Sequence, residues 1–255
     1  MATPALPPLY AHRLGRAYGP DSSALALRGS LAGGAVAGVE TDVCLTADGE
    51  LICLHDPLLR IGTTLDGWAH QRASAAICAG RLRDRRGEPT AERPLRLGEL
   101  LELLPPELTL QVEVKAHADP ALARRTASAL CGRYRRERAR ERIEVLSFHA
   151  GACAVAAAHG WPVRLVAWAD YTPDALAAWA MRHGLVGVAL EHFLVCEQLV
   201  RTLRMAGLSV TVGTVNEWEL LERVLAVAPD AVCTDRPHEL HEEWSSRHDS
   251  RTLAA

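Results

Sequence analysis

Along the chain, short β-branched apolar runs alternate with longer runs rich in Ala, Leu and Arg. The strand-like runs fall near residues 9–12, 38–45, 50–55, 108–115, 142–148, 163–168, 186–190, 208–215 and 231–234. Segments with helical spacing lie between most of them, at 22–36, 96–104, 119–139, 150–159, 173–183, 195–206 and 216–227. Such alternation predicts parallel strands joined by crossover helices. About eight such units in a chain of this length fit a single closed (β/α)8 TIM barrel better than an open sheet. An open doubly wound sheet more often carries GxGxxG after its first strand, and none is present. Residues 1–255 therefore read as one domain. Segment 60–95 interrupts the pattern and reads as a long loop with one short helix, its many charges facing solvent. From residue 239 the chain is polar and predicted to form one helix and then fray, over about 240–255.

Strand side chains alternate between two faces, and in a barrel one face meets the helices while the other points inward. Leu110, Val112 and Val114 share the first kind of face; Gln111, Glu113 and Lys115 share the second. Likewise Val39, Thr41 and Val43 oppose Glu40, Asp42 and Cys44. Two carboxylates at i and i+2 repel unless a cation lies between them or one is protonated. Oxygen ligands in a partly hydrated site suit Mg²⁺ or Ca²⁺. Solvated acids on an edge strand would give the same pattern. His12, followed by Arg13, and His55, followed by Asp56-Pro57, end strand-like runs. Between them, Ala47-Asp48-Gly49 predicts a hairpin turn back from the Glu40 strand. Two histidines, an Arg, a Lys and three carboxylates at strand ends form the set that phosphoryl chemistry needs.

Composition narrows the partners. The net charge of −3, with 49% hydrophobic residues, excludes intrinsic disorder and gives no electrostatic reason for a nucleic-acid or anionic-membrane partner. No apolar run is long enough to span a membrane, and the N-terminus lacks a signal-peptide pattern. The seven cysteines show no CxxC and no regular spacing. These features predict a cytoplasmic protein with reduced thiols. The arginine-rich stretch 133–142 alternates in sign at helical spacing and predicts a salt-bridged helix face. Among 28 basic residues only Lys115 is a lysine.

The stretch from Tyr10 to Pro57 resembles the glycerophosphodiester phosphodiesterases. The matching residues are His12-Arg13, Pro20, Gly38-Val39-Glu40-Thr41-Asp42-Val43, Thr46-Ala47-Asp48-Gly49-Glu50-Leu51 and His55-Asp56. Glu113-Val114-Lys115, Ser147-Phe148, Thr214-Val215-Asn216 and Thr234-Asp235-Arg236-Pro237 continue the resemblance in order. It implies a (β/α)8 barrel that hydrolyses glycerophosphodiesters to glycerol 3-phosphate and an alcohol. It also implies one divalent cation, Mg²⁺ or Ca²⁺, on Glu40, Asp42 and Glu113. His12 and His55 would be the general acid and base, with Arg13 and Lys115 on the phosphodiester oxygens. The same site could stop at a cyclic phosphate, or could survive as a non-catalytic binding barrel; the oligomeric state stays open.

Three positions depart from the family pattern. Leu14 stands where a Gly usually follows Arg, which predicts a shifted turn, since Leu resists positive φ. Asp21 replaces a Glu and reads as a helix N-cap rather than a metal ligand. Gly213 replaces a Trp, predicting a larger pocket for a bulkier diester that Trp168 partly refills. Glu191-His192 and His149 are further candidates for substrate or metal contacts.

Overall fold

A computed structural model describes residues 5–135 and 141–252, the side chains beyond residue 248 excepted. Eight parallel strands close into a barrel. In chain order these are β1 (Leu9–Ala11), β2 (Gly38–Leu45), β4 (Thr109–Val114), β5 (Ile143–Ser147), β6 (Val163–Ala167), β7 (Gly187–Glu191), β8 (Ser209–Gly213) and β9 (Ala231–Thr234). Each pairs with its neighbour in parallel, and β1 closes the ring between β9 and β2. The remaining strand, β3 (Leu51–Cys53), returns antiparallel along β2, as the Asp-Gly turn predicts. This (β/α)8 barrel is the fold the alternation implies.

Period-two burial decides which side chains reach the interior. Leu110, Val112 and Val114, like Val39 and Val43, pack in the main core beneath the helices. That shell is formed by α1 (Ala24–Ala32), α4 (Leu97–Leu103), α5 (Pro120–Arg133), α6 (Ala150–Ala158), α7 (Pro173–Arg182), α8 (Glu197–Met205), α9 (Trp218–Leu225) and α10 (Pro237–Thr252). Cys53, Cys131 and Cys153 are buried in the same core as small apolar residues. The last helix outlasts the fraying expected from its polarity. Leu240 is buried in the core and Trp244 packs one turn later, so an i,i+4 pair anchors it. Residues 136–140 of the expected charged helix lie outside the described residues.

Segment 60–95 is more ordered than a bare loop. Two short helices, α2 (Leu59–Gly62) and α3 (Ser74–Cys78), surround a small second core of Cys44, Ile52, Leu54, Leu59, Ala69, Ile77 and Leu82. Asp48, in the hairpin turn, accepts hydrogen bonds from the Ser74 backbone and hydroxyl at 2.9 Å each. The insertion is thereby fixed to the strand that carries Glu40 and Asp42.

At the N-terminal end of the strands, inward polar residues satisfy one another. Arg164 forms a two-pronged pair with Glu144 at 3.0 and 3.2 Å and donates to Ser209 Oγ at 2.6 Å. Gln111 Nε2 donates to Glu144 at 3.0 Å. Gly187 makes room for this plug, since a side chain there would run into the Arg164 guanidinium. Burial works against the Glu144 charge, but Arg164 and Gln111 outweigh it and hold the carboxyl below its ordinary range. A carboxyl lowered in the folded state gives stability that is full above its unfolded pKa. That stability is lost as pH falls through the folded value. Arg164→Met should therefore cost about 3 kcal/mol at neutral pH by stranding Glu144. In urea titrations, stability should fall more steeply for the parent than for the variant between about pH 5 and pH 3. An unchanged midpoint with parallel pH slopes would contradict this network.

Candidate active site

At the opposite end the inward polar residues are not mutually satisfied. The β2–β4 register pairs Glu40 with Gln111 and Asp42 with Glu113, so adjacent strands set three carboxylates side by side. One oxygen from each of Glu40, Asp42 and Glu113 lies within 4.8 Å of the others. Glu40 and Asp42 are only 3% and 1% exposed, so they are not solvated acids of an edge strand. Buried Glu40 Oε1 and Asp42 Oδ2 accept no hydrogen bond.

Two cations face this cluster. The Lys115 Nζ stands 3.0 Å from Asp42 Oδ1 and 2.5 Å from Glu113 Oε1, beneath the Phe148 ring. The Arg13 Nε lies 3.6 Å from Asp42 Oδ2, while its backbone N–H donates to Glu40 Oε2 at 2.9 Å. Burial, then Asp42 and Glu113, push the Glu40 carboxyl well above its ordinary range. Burial also acts on Asp42, but Lys115, His55, Arg13 and His12 together hold it well below. Two cations against three buried carboxylates leave a deficit of positive charge. Oriented oxygens with unmet acceptor capacity and a negative surplus fit a hard divalent cation.

The histidines flank the cluster, each held by a carboxylate. His12 Nδ1 is 2.7 Å from Asp235 Oδ1, leaving Nε2 toward Glu40 at 4.0 Å. His55 Nδ1 is 3.2 Å from Asp56 Oδ1. Asp235 in turn accepts from Asn216 at 2.9 Å and from Arg85 at 3.0 Å. Burial raises the Asp235 pKa, but the His12 contact and Asn216 outweigh it and keep the carboxyl lowered. The sequence motifs contained Asp235 and Asn216, yet their role was missed. An acid directly after the last barrel strand was the available signal. The charged residues of segment 60–95 are largely exposed, as expected, but the half-exposed Arg85 also crosses to Asp235, 150 positions away.

Arg13 and Leu14 both take positive φ, +48° and +64°, before Gly15 at +97°, so Leu14 adopts the conformation it was expected to avoid. Its side chain is 0% exposed, and its carbonyl accepts from Ser30 Oγ at 2.7 Å. Asp21 is not the N-cap of α1; Ser23 caps it through Ala26 N–H, and Asp21 pairs with Arg13 at 2.6 Å and Arg16 at 2.8 Å. Trp168 does not refill the space beside Gly213. It is 56% exposed and lines an outer cleft with His55, Lys115, Phe148 and His149, whereas Gly213 lines an interior cavity with His12 and Glu191. His149 and Glu191 thus serve different cavities. Among the described residues, the Glu40, Asp42 and Glu113 cluster alone has metal-binding spacing.

Residues 12–239 match the glycerophosphoryl diester phosphodiesterase family. The chain belongs to that family. It is a phosphoric diester hydrolase of the glycerophosphodiester phosphodiesterase type. Solved structures share the fold. A candidate glycerophosphoryl diester phosphodiesterase from Silicibacter pomeroyi is 24% identical, with TM-score 0.79 and 92% of each chain covered. A phosphodiesterase from Oleispira antarctica, in complex with the product sn-glycerol-3-phosphate, is 22% identical with TM-score 0.77, covering 93% of this chain and 96% of that one. The Thermotoga maritima glycerophosphodiester phosphodiesterase is 18% identical with TM-score 0.75, covering 93% and 98%. No curated protein sequence matches the chain.

The turn that carries His12 and Arg13 sets strain against packing. Relieving Leu14 of positive φ is worth about 1–2 kcal/mol, while emptying a buried Leu site costs about 2–5 kcal/mol. Leu14→Gly should lower stability by about 2 kcal/mol in chemical denaturation. A variant more stable than the parent would mean that strain, not packing, dominates this turn.

Proposed function

We propose that this phosphodiesterase hydrolyses small glycerophosphodiesters to sn-glycerol 3-phosphate and an alcohol with one divalent cation, Mg²⁺ or Ca²⁺. The observation that carries the reading is the buried trio of converging carboxylates, with Glu40 Oε1 and Asp42 Oδ2 accepting no hydrogen bond, between two carboxylate-held histidines. Glu40, Asp42 and Glu113 would hold the cation, which when bound withdraws charge from phosphoryl oxygens and lowers the pKa of a bound hydroxyl. The Oleispira relative, whose structure holds sn-glycerol-3-phosphate as product, supports this choice of substrate.

His12 and His55 would share the proton transfers. Asp235 fixes the His12 ring through Nδ1, so Nε2 is the nitrogen left to take or give a proton in the site. Asp56 does the same for His55. One ring removes the proton of the attacking hydroxyl; the other protonates the departing alkoxide. Arg13 offers a planar fork to two phosphoryl oxygens, its aim set by Asp21 on Nη1. Lys115 supplies a compact charge over the same group. No helix of the described residues is long and apolar enough to cross a membrane.

Release of glycerol 3-phosphate from glycerophosphocholine tests the reading. His12→Ala and His55→Ala should each lose at least about a hundredfold in kcat, and EDTA should abolish turnover until Mg²⁺ or Ca²⁺ is restored. Full activity in both histidine variants would remove the acid–base assignment; full activity in EDTA would remove the cation. Lys115→Arg should not behave as conservative. The longer planar guanidinium cannot keep both contacts of the ammonium, and kcat should fall at least about tenfold. Parent-like turnover would show that Lys115 is only a counter-charge.

A further inference from the structure

The insertion brings one side chain to the proton-transfer machinery, and its local structure holds that side chain in place. Leu82 is buried in the small second core, and from it the chain rises as a tight hairpin, with Arg83 bridged to Pro89. Thr90 N–H donates to the Leu82 carbonyl and Gly87 N–H to the Asp84 carbonyl, both at 2.9 Å. Asp84-Arg85-Arg86-Gly87 is a turn sequence, with an acid first and a glycine last. Asp84 Oδ1 accepts from the Arg86 and Glu88 backbone at 2.9 Å each, and Gly87 takes φ +83°. Arg83 Nε donates to Thr63 O at 2.8 Å, which ties the hairpin to the body of the insertion. Arg85 therefore stands at the tip of a braced turn.

From that tip Arg85 meets Asp235, whose two oxygens have separate tasks. Oδ1 faces His12 Nδ1 at 2.7 Å. The Asp235 carboxyl is held below its ordinary range, so it is an ionised acceptor and Nδ1 must be the donor. Oδ2 accepts from Asn216 Nδ2 at 2.9 Å and from Arg85 Nη2 at 3.0 Å. Asn216, in the loop after β8, is itself locked, since its Oδ1 accepts from the Asp235 N–H at 2.9 Å and from Thr234 Oγ1 at 3.1 Å. The last torsion of an aspartate has a broad profile, so the carboxylate plane is set by its partners. One donor on Oδ2 leaves that plane free to swing; a second, from a different element, fixes it. The Arg85 side chain is 53% exposed, so water screens its charge and the geometric constraint is what remains.

We propose that Arg85 is a positioning residue for His12, acting through Asp235: it fixes the carboxylate plane that keeps the His12 proton on Nδ1 and Nε2 turned into the site. This rests on the phosphodiesterase reading above, with His12 moving a proton, and gives the insertion a part in the reaction. Loss of Arg85 leaves Arg13, Lys115 and the three clustered carboxylates untouched, so substrate binds as before. What falls is the share of molecules in which His12 is aligned. The defect then lies in kcat and not in KM.

Two measurements on the full chain test this. In turnover of glycerophosphocholine with Mg²⁺, Arg85→Ala should lower kcat about tenfold at unchanged KM. Arg86→Ala, which removes an exposed charge from the same tip, should keep the parental kcat. Arg85→Lys should recover most of the loss. Guanidinium ion well below denaturing concentration should do the same for Arg85→Ala, because the tip borders a cavity of about 230 Å³ that admits it. In an Asp235→Asn background, Arg85→Ala should change nothing further, since the two residues act in series. The second measurement needs no turnover. Nitrogen NMR at alkaline pH, read through the carbon-bound ring protons and assigned with His12→Ala, reports which His12 nitrogen carries the proton. The parent should show Nδ1 protonated, and Arg85→Ala a mixture of both tautomers. Parental kcat in Arg85→Ala, an equal loss in Arg86→Ala, or the same tautomer in parent and Arg85→Ala would each overturn the proposal. An inactive parent, or full activity in His12→Ala, would instead sink the phosphodiesterase reading, and the tautomer comparison would still decide whether Arg85 holds His12.

Discussion

Everything at the mouth of this barrel answers to one constraint, three carboxylates buried side by side on adjacent strands. The β2–β4 register forces Asp42 against Glu113, with Glu40 one layer below. Charges so placed are unfavourable in a poorly hydrated interior unless countercharge is built around them. Much of the surrounding architecture supplies it. Lys115 follows Glu113 on the same face, and Arg13 is brought in by a turn that bends an apolar residue through positive φ. The strained turn also aims the Arg13 backbone N–H at Glu40, so the peptide itself contributes partial positive charge. Asp21 then holds the far end of the guanidinium. The site is thus a nested set of charge balances, each step made necessary by the one inside it.

That nesting explains why part of the site was legible in the sequence and part was not. Side chains on regular strands follow a period of two, so spacing alone puts Glu40 with Asp42 on one face of their strand and Glu113 with Lys115 on one face of theirs, and leaves open whether that face is interior. The strand positions agree with the expected runs to within a few residues for the same reason. The outer balances do not obey a period. Arg85 reaches Asp235 from an insertion whose composition resembles any charged loop. Asp21 sits just before a helix, where capping and ion pairing use the same residue type, and only the position of Ser23 two residues closer to α1 decides between them. Leu14 shows the opposite failure. Local propensity argues against its backbone conformation, but a fully buried side chain overrides it.

The single lysine illustrates how composition and site interact. A chain that uses arginine for 27 of 28 basic residues places its one lysine between two carboxylates. Arginine elsewhere serves as a fork: toward Glu144 from Arg164, toward Asp21 from Arg13, toward Asp235 from Arg85. At residue 115 the need is a compact charge that touches two oxygens of different residues at once, and ammonium geometry meets it.

The two ends of the barrel use the same device to opposite effect. At the N-terminal end, Glu144, Arg164, Ser209 and the Gln111 amide nitrogen form a network in which the principal donors meet acceptors, and the result is a plug. At the C-terminal end, acceptor oxygens on Glu40, Asp42 and Thr211 are left without donors, and the result is a site. Gln111 belongs to both: its nitrogen closes the network below while its oxygen opens into the cavity above. A buried polar residue therefore does not by itself mark function. What separates a structural polar residue from a binding one here is whether its hydrogen-bonding capacity is used up within the chain, and along the barrel axis the change from one to the other falls within a single side chain.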